Sequence, residues 1–267
     1  MSSERVSRAR LLLSLSRGVA LRLGACVLLS ALATLCAGMY GADAAFMEFV
    51  GGGLVVPDGL GTRPGVVFLV AWLAPTAAFL YLFSDFLPAR LSREASGVLP
   101  RVGSRRRWAV AKLVQLGAIS ALYSMLGTLA GSAGLLALNP GAVTASHLGQ
   151  AMAAALLGAP LMYALVLAAN CVALKTDAVA AFASVLLVHA GTLVGVAFLP
   201  RGLAASLAPW LPSTQGVLAW HDGAGLGLPL SSGVTGFGVA PSLVYLAACC
   251  VVALVVAVRL VRRRDIV

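Results

Sequence analysis

Six stretches of this chain are long, apolar and almost free of charge: Leu21–Tyr40, Val66–Phe83, Leu113–Leu138, Ala151–Leu174, Ala178–Leu199 and Ala240–Val258. A bilayer core about 30 Å thick takes about 20 apolar residues per helix, so each stretch is long enough to cross it. Among Asp, Glu, Lys and Arg, only Arg22 falls inside one, at its edge. Backbone amides in lipid must be satisfied within their own segment, which leaves helices as the solution for runs of this length. The expected fold is an all-α integral membrane protein, a single domain over 1–267 with six transmembrane helices. A soluble globule is excluded, because only 10% of the 267 residues are charged, against about 25% in an ordinary soluble domain.

The formal net charge of +10 calls for either a nucleic-acid partner or a membrane orientation. With the amino terminus placed inside, 17 of the 19 Lys and Arg fall on the cytoplasmic side and only Arg63 and Arg201 outside. The cytoplasmic side then nets +12 and the outer side −2. That is the positive-inside rule, and it places both termini in the cytoplasm. Nucleic acid is not needed as a partner, whereas anionic lipid headgroups are attracted to such a face by about 1 kcal/mol per charge.

Three segments between and before the spans carry more pattern than topology requires. Ser2–Arg17 interleaves Arg5, Arg8 and Arg10 with leucines, as in a helix lying in the headgroup plane; a plain basic anchor tail is the alternative. The basic stretch ahead of the first span is too long for a signal peptide, so that span reads as a retained anchor. Inside, Pro88 to Gly97 suits a short amphipathic helix stopped by Gly97 and Pro100. Arg105, Arg106 and Arg107 then restart a helix, with Trp108 expected in the aromatic belt and Lys112 snorkelling. Outside, Leu203–Trp220 is too short and too proline-broken to span. It is expected to dip into the outer leaflet as a re-entrant helix pair anchored by Trp210 and Trp220 around Pro212, or else to form a surface loop. Gly223–Gly238 reads as a flexible connector.

Several chemistries find no support. The lysines, Lys112 and Lys175, are not preceded by the glycine-rich phosphate cradle of an ATPase. The five cysteines lie within predicted spans without metal-ligand spacing. Ser132 and His189 are the candidate pair for an intramembrane serine protease, but Gly131-Ser132-Ala133-Gly134 departs from the rhomboid order and no oxyanion-stabilising cluster accompanies it. Asn170 and His189 are the most polar side chains inside the spans, candidates for a transport pathway or for hydrogen bonds between helices. Proton-coupled carriers normally use buried carboxylates, and the spans hold none. Gly127/Gly131 and Gly191/Gly195 form GxxxG arrays, read as packing within the chain, and Pro75 and Pro160 as kinks.

In order and spacing the chain resembles the membrane subunit of an ABC transporter of the type-2 exporter permease class. The resemblance rests on the basic segment and two spans, then Arg93-Glu94-x-x-Gly97-x-Leu99, Ser104-Arg105-Arg106 and Lys112 opening the third span. It continues through the tight turn at Lys175–Asp177, Trp210-Leu211-Pro212-Ser213-Thr214 outside, and the terminal Arg262-Arg263-Arg264. Val102-Gly103 and Ala111-Lys112 stand where the family often has a proline and a Gly-Lys. The resemblance implies an exporter half in a prokaryotic plasma membrane, paired with a second copy or a related subunit to make twelve spans. It implies no cofactor on this chain and a cytoplasmic ATPase that holds ATP and Mg²⁺. Leu87–Leu99 would be the coupling helix, offering Arg90, Arg93, Glu94, Gly97 and Leu99 to that ATPase, with Arg5, Arg8 and Arg10 against lipid and partner. Arg101 and Arg105–Arg107 serve that surface or topology alone. The absence of buried charge favours an amphipathic or hydrophobic cargo. A structural or assembly membrane protein without transport is the alternative.

Overall fold

A computed structural model describes residues 17–38, 66–94, 104–138, 145–197, 199–222 and 236–263. All regular structure among them is helical. The elements are α1 (Arg17–Gly38), α2 (Val66–Phe83), α3 (Phe86–Glu94), α4 (Arg105–Leu138), α5 (Ala145–Ala173), α6 (Ala178–Ala197), α7 (Arg201–Leu207) and α8 (Val239–Arg263). Three short 3₁₀ segments, Ala208–Trp210, Pro212–Gly216 and Leu218–Trp220, follow α7.

Five of these helices are long and apolar enough to cross a membrane: α1, α4, α5, α6 and α8. The sixth apolar run forms α2 with the expected 18 residues. Other boundaries extend past the apolar runs. The 34 residues of α4 make a rod about 51 Å long, so Arg105–Lys112 continues it by about two turns beyond the apolar stretch. Ser104 starts it, its Oγ accepting from Arg107 N at 3.5 Å. At the other hairpin, Asp177 Oδ1 accepts from Val179 N and Ala180 N, both at 2.9 Å. That cap fixes the tight α5–α6 turn.

The long helices alternate in direction. Arg22 of α1 meets Asp85 just after α2, and Ser84 Oγ donates to Ala178 O at the start of α6. These contacts bring the start of α1, the end of α2, the end of α5 and the start of α6 to one end of the bundle, the arginine-rich end. Helix α1 packs on α4 and α2, α4 on α5, and α5 on α8 and α6. The main core gathers toward the basic end, around Phe79, Phe83, Leu87, Trp108, Leu113, Leu116 and Leu167. There Phe79 stacks on Tyr123 with ring centroids 4.5 Å apart.

The two GxxxG arrays behave differently. Gly127 and Gly131 face Ser30 and Thr34 of α1, as expected for packing within the chain; a Cβ on Gly131 would stand 2.6 Å from Thr34 Oγ1. At Gly191 and Gly195, by contrast, an added Cβ would meet nothing within 4 Å among the described residues. Packing of that side of α6 against another described element, as expected, is not seen. Gly131→Val is therefore expected to destabilise the bundle by about 1–3 kcal/mol through overpacking, and Gly191→Val to stay within about 0.5 kcal/mol of the parent. Unfolding in mixed micelles measures both, and equal effects would refute the assignment.

Candidate functional site

The basic end is organised around α3. Its nine residues bury Phe86, Leu87 and Leu91 and expose Ser92 and Arg93, as an amphipathic period demands. The corner between α2 and α3 leaves backbone groups that no helix satisfies. Asn170 of α5, fully buried, supplies their partners. Its Oδ1 accepts from Leu87 N at 2.7 Å, and its Nδ2 donates to Phe83 O and Val166 O, each at 2.8 Å. Pro88 comes next, and its missing N–H costs nothing in the first turn of a helix. Ala89 N closes the first turn onto Asp85 O at 2.8 Å. Of the two roles expected for Asn170, a pathway or hydrogen bonds between helices, these contacts are of the second kind.

Glu94 ends α3 and points inward. Its carboxylate accepts from Trp108 Nε1 at 2.8 Å and pairs with Lys112 Nζ at 3.0 Å and Arg90 at 3.3 Å. Trp108 and Lys112 are one helical turn apart on α4, so both reach the same carboxylate. Trp108 and the Lys112 side chain are buried, which corrects the expectation of an aromatic-belt tryptophan and a snorkelling lysine. Removing one partner would strand a buried charge, the situation in which an ion pair matters most. Burial raises the Glu94 pKa, but the Trp108 and Lys112 hydrogen bonds and the charges of Lys112 and Arg90 outweigh it, leaving the carboxyl below its ordinary value. At the neighbouring helix, Arg22 pairs with Asp85 at 3.2 Å and donates to Leu82 O at 2.8 Å.

The other residues expected here separate into groups. Arg93 faces outward, and Arg105, Arg106 and Arg107 are exposed at the start of α4. Arg5, Arg8, Arg10, Gly97, Leu99 and Arg101 lie outside the described residues, as does the expected interfacial helix Ser2–Arg17 apart from Arg17, which begins α1. The expected coupling helix Leu87–Leu99 is helical from Phe86 to Glu94, and 95–99 lie outside the described residues.

Midway through the bundle is a cavity of about 130 Å³, lined among others by Ser30, Thr34, Thr76, Tyr123, Ser124 and His189. That is room for about four waters. Among the described residues, no carboxylate or ammonium group lines it. His189 is buried on its wall, whereas Ser132, also buried, is not among its lining residues.

At the far end, α7 and the 3₁₀ segments form a cap seated on α5, α6 and α8. It is not the expected helix pair. Thr214 Oγ1 shares its one proton between Ala208 O and Leu211 O, and Gln215 Nε2 donates to Pro209 O at 2.7 Å. Ala208 O and Leu211 O also accept from Leu211 N and Thr214 N, each at 3.3 Å, so the Thr214 hydroxyl reinforces these turns. Pro212 opens the second 3₁₀ segment. Trp210 is exposed as expected, but Trp220 is only 1% exposed, so one tryptophan is part of the cap's core and not an interfacial anchor. Sequence reasoning missed His221. Its Nδ1 lies 2.9 Å from Val217 O and its Nε2 2.8 Å from Ser242 Oγ of α8. A carbonyl can only accept, so Nδ1 carries the proton and Nε2 accepts from the hydroxyl. The ring also stacks on Phe237 at 4.2 Å. A histidine at the end of a proline-rich apolar segment, 21 residues before a serine at the mouth of the last span, was the available signal.

Comparison of the chain with protein-family models, curated proteins and solved structures finds no match.

Two predictions follow from these networks. Asn170→Leu orphans the Phe83 carbonyl and the Leu87 amide together and is expected to cost about 2–4 kcal/mol, read as a lowered unfolding midpoint. Burial holds His221 near a pKa of about 4 against an ordinary 6.5, so the unfolded chain takes up a proton first. Stability must fall as pH drops from 6.5 toward about 4. Glu94 is shifted down, so its contribution is present above 4.5 and is lost only as pH falls below that value. His221→Phe should flatten the upper limb of a stability–pH curve and Glu94→Gln the lower one. Unchanged limbs would overturn the two assignments.

Proposed function

We propose that the protein is the permease subunit of an ATP-driven ABC transporter of the type-2 exporter class, moving an amphipathic or hydrophobic cargo out of a prokaryotic cell. In this reading α2 is a sixth span, both termini are cytoplasmic, the arginine-rich end faces the cytoplasm, and the cap of 201–222 is a re-entrant outer segment. ATP and Mg²⁺ belong to a separate nucleotide-binding subunit, and a second permease copy or a related subunit completes twelve spans. The open Gly191/Gly195 face of α6 permits close approach of another helix.

The observation that carries the reading is α3. A short amphipathic helix at the basic end shows Arg93 to the outside while Glu94 is held by α4 and Asn170 ties its first turn to α5. A push on α3 is delivered to two long helices as a rigid-body displacement, the kind of transition by which a partner's closure moves a bundle. Arg93 and Glu94 thereby take different roles: Arg93 meets the ATPase, and Glu94 transmits.

Affinity-tagged protein, purified from its own membranes with its nucleotide-binding subunit and reconstituted, tests this. Arg93→Glu is expected to abolish co-purification of the ATPase without lowering the unfolding midpoint. Glu94→Gln should retain the ATPase but lower cargo-stimulated hydrolysis about tenfold, the equivalent of one charged hydrogen bond worth about 1.5 kcal/mol. Purification without any Walker-motif ATPase, or transport unaffected in both variants, would refute the reading.

A further inference from the structure

The mid-bundle cavity of about 130 Å³ is lined by two kinds of surface. Helices α1 and α4 supply hydroxyls, Ser30 and Thr34 from one and Ser124 and Thr128 from the other. Helix α5 supplies none among its described lining residues, of which Leu161 and Met162 are the largest. Three of the hydroxyls are seated on glycines of a facing helix. Ser30 Oγ, Thr34 Oγ1 and Ser124 Oγ lie 3.1, 2.6 and 2.7 Å from where a Cβ would stand on Gly127, Gly131 and Gly158 respectively. A larger residue at any of the three could not share that space with the hydroxyl opposite.

Those surfaces decide what can fill the space. Thr34 and Ser124 commit their protons to Ser30 O and Ala155 O, both at 2.9 Å, and keep oxygen lone pairs for a donor. A void of this size left empty forfeits the dispersion contacts its lining would make. Water alone does not suit the α5 side, because a buried water needs several polar partners and the described lining there offers no O–H or N–H side chain. Neither Asp, Glu, Lys nor Arg is among the described lining residues, so an ionic occupant would find no carboxylate, ammonium or guanidinium to offset its desolvation. The volume sets the scale, since a cavity of about 150 Å³ accepts benzene. An occupant matched to both surfaces has an O–H, no charge, and an apolar body the size of a single ring or a short chain.

We propose that the cavity is a binding site for a small uncharged alcohol or phenol, whose O–H donates to a hydroxyl oxygen of Thr34 or Ser124 and whose apolar body lies against α5. The site does not depend on the permease reading, because it concerns what the bundle binds and not what it moves.

The test uses the full chain in detergent and three ring compounds of similar shape: p-cresol with an O–H, p-xylene with a methyl in its place, and p-toluate with a carboxylate there. Saturable binding is followed by ligand-observed NMR. The parent is expected to bind p-cresol about fivefold more tightly than p-xylene, as one neutral hydrogen bond predicts, and to show no saturable binding of p-toluate. T34V/S124A removes both acceptor oxygens, while the carbonyls they bonded, Ser30 O and Ala155 O, remain inside helices. In that variant p-cresol and p-xylene should bind equally, with p-xylene unchanged from the parent, and the unfolding midpoint without ligand serves as the folding control. The parent's ranking of the three compounds is decisive even where the variant unfolds early. A preference for p-cresol kept in T34V/S124A would place the ligand elsewhere and overturn the proposal. Binding of p-toluate as tight as that of p-cresol would show an ionic site, with the same result. Absence of saturable binding by either neutral compound would leave water as the occupant and overturn it as well.

Discussion

In a medium without water every peptide N–H and C=O needs a partner from the protein, and the architecture follows from where helices must stop. Within α1, α4, α5, α6 and α8 the requirement is met by the helix itself. At the ends it is not, and the chain answers with a few polar side chains, each placed at an interruption. Asn170 serves the break between α2 and α3, Asp177 the break between α5 and α6, Ser104 the start of α4, and Thr214, Gln215 and His221 the irregular cap. The polar side chains that matter most in this bundle are therefore those that pair with backbone rather than with one another.

This rule explains which expectations survived contact with the structure. Apolar length without charge is a one-dimensional property, so the helices could be read from the sequence, the tight α5–α6 turn with them, and α2 to the residue. What a polar residue inside a span does is a three-dimensional property. Asn170 looks the same in sequence whether it lines a pathway or closes a corner 83 residues away. Trp108 and Lys112 carry the usual signature of an interface, and only the packing of α3 on α4 turns them inward to Glu94. Trp220 failed for a like reason: tryptophan marks both an interface and the core of a small cap, and burial decides between them. His221 was overlooked because its partner Ser242 lies across a glycine-rich stretch that carries no periodicity.

Charge at the basic end divides by the same logic. Arg22, Arg90 and Lys112 have carboxylates to answer and stand where helices meet. Arg93, Arg105, Arg106 and Arg262 stand on the outside. Within the first group Arg22 and Lys112 hold elements of the chain to each other, and Arg90 braces Glu94 within α3. The second stands on the surface, so a net positive face inferred from counting alone resolves into an inner set that packs within the chain and an outer set exposed at its surface.

The mid-bundle cavity adds a constraint on anything that occupies it. Two of its hydroxyls are already committed as donors, Thr34 to Ser30 O and Ser124 to Ala155 O, both at 2.9 Å. Such groups face the cavity with oxygen lone pairs and not with O–H bonds, since a hydroxyl has one proton to give. A carboxylate or phosphate entering here would find no Lys or Arg among the described lining residues to offset its desolvation, and burial of an unpaired charge is the costliest arrangement available. A neutral occupant with a hydrogen-bond donor and an apolar body meets neither penalty. The described lining of the cavity therefore suits an uncharged polar group carried on an apolar body better than an ion.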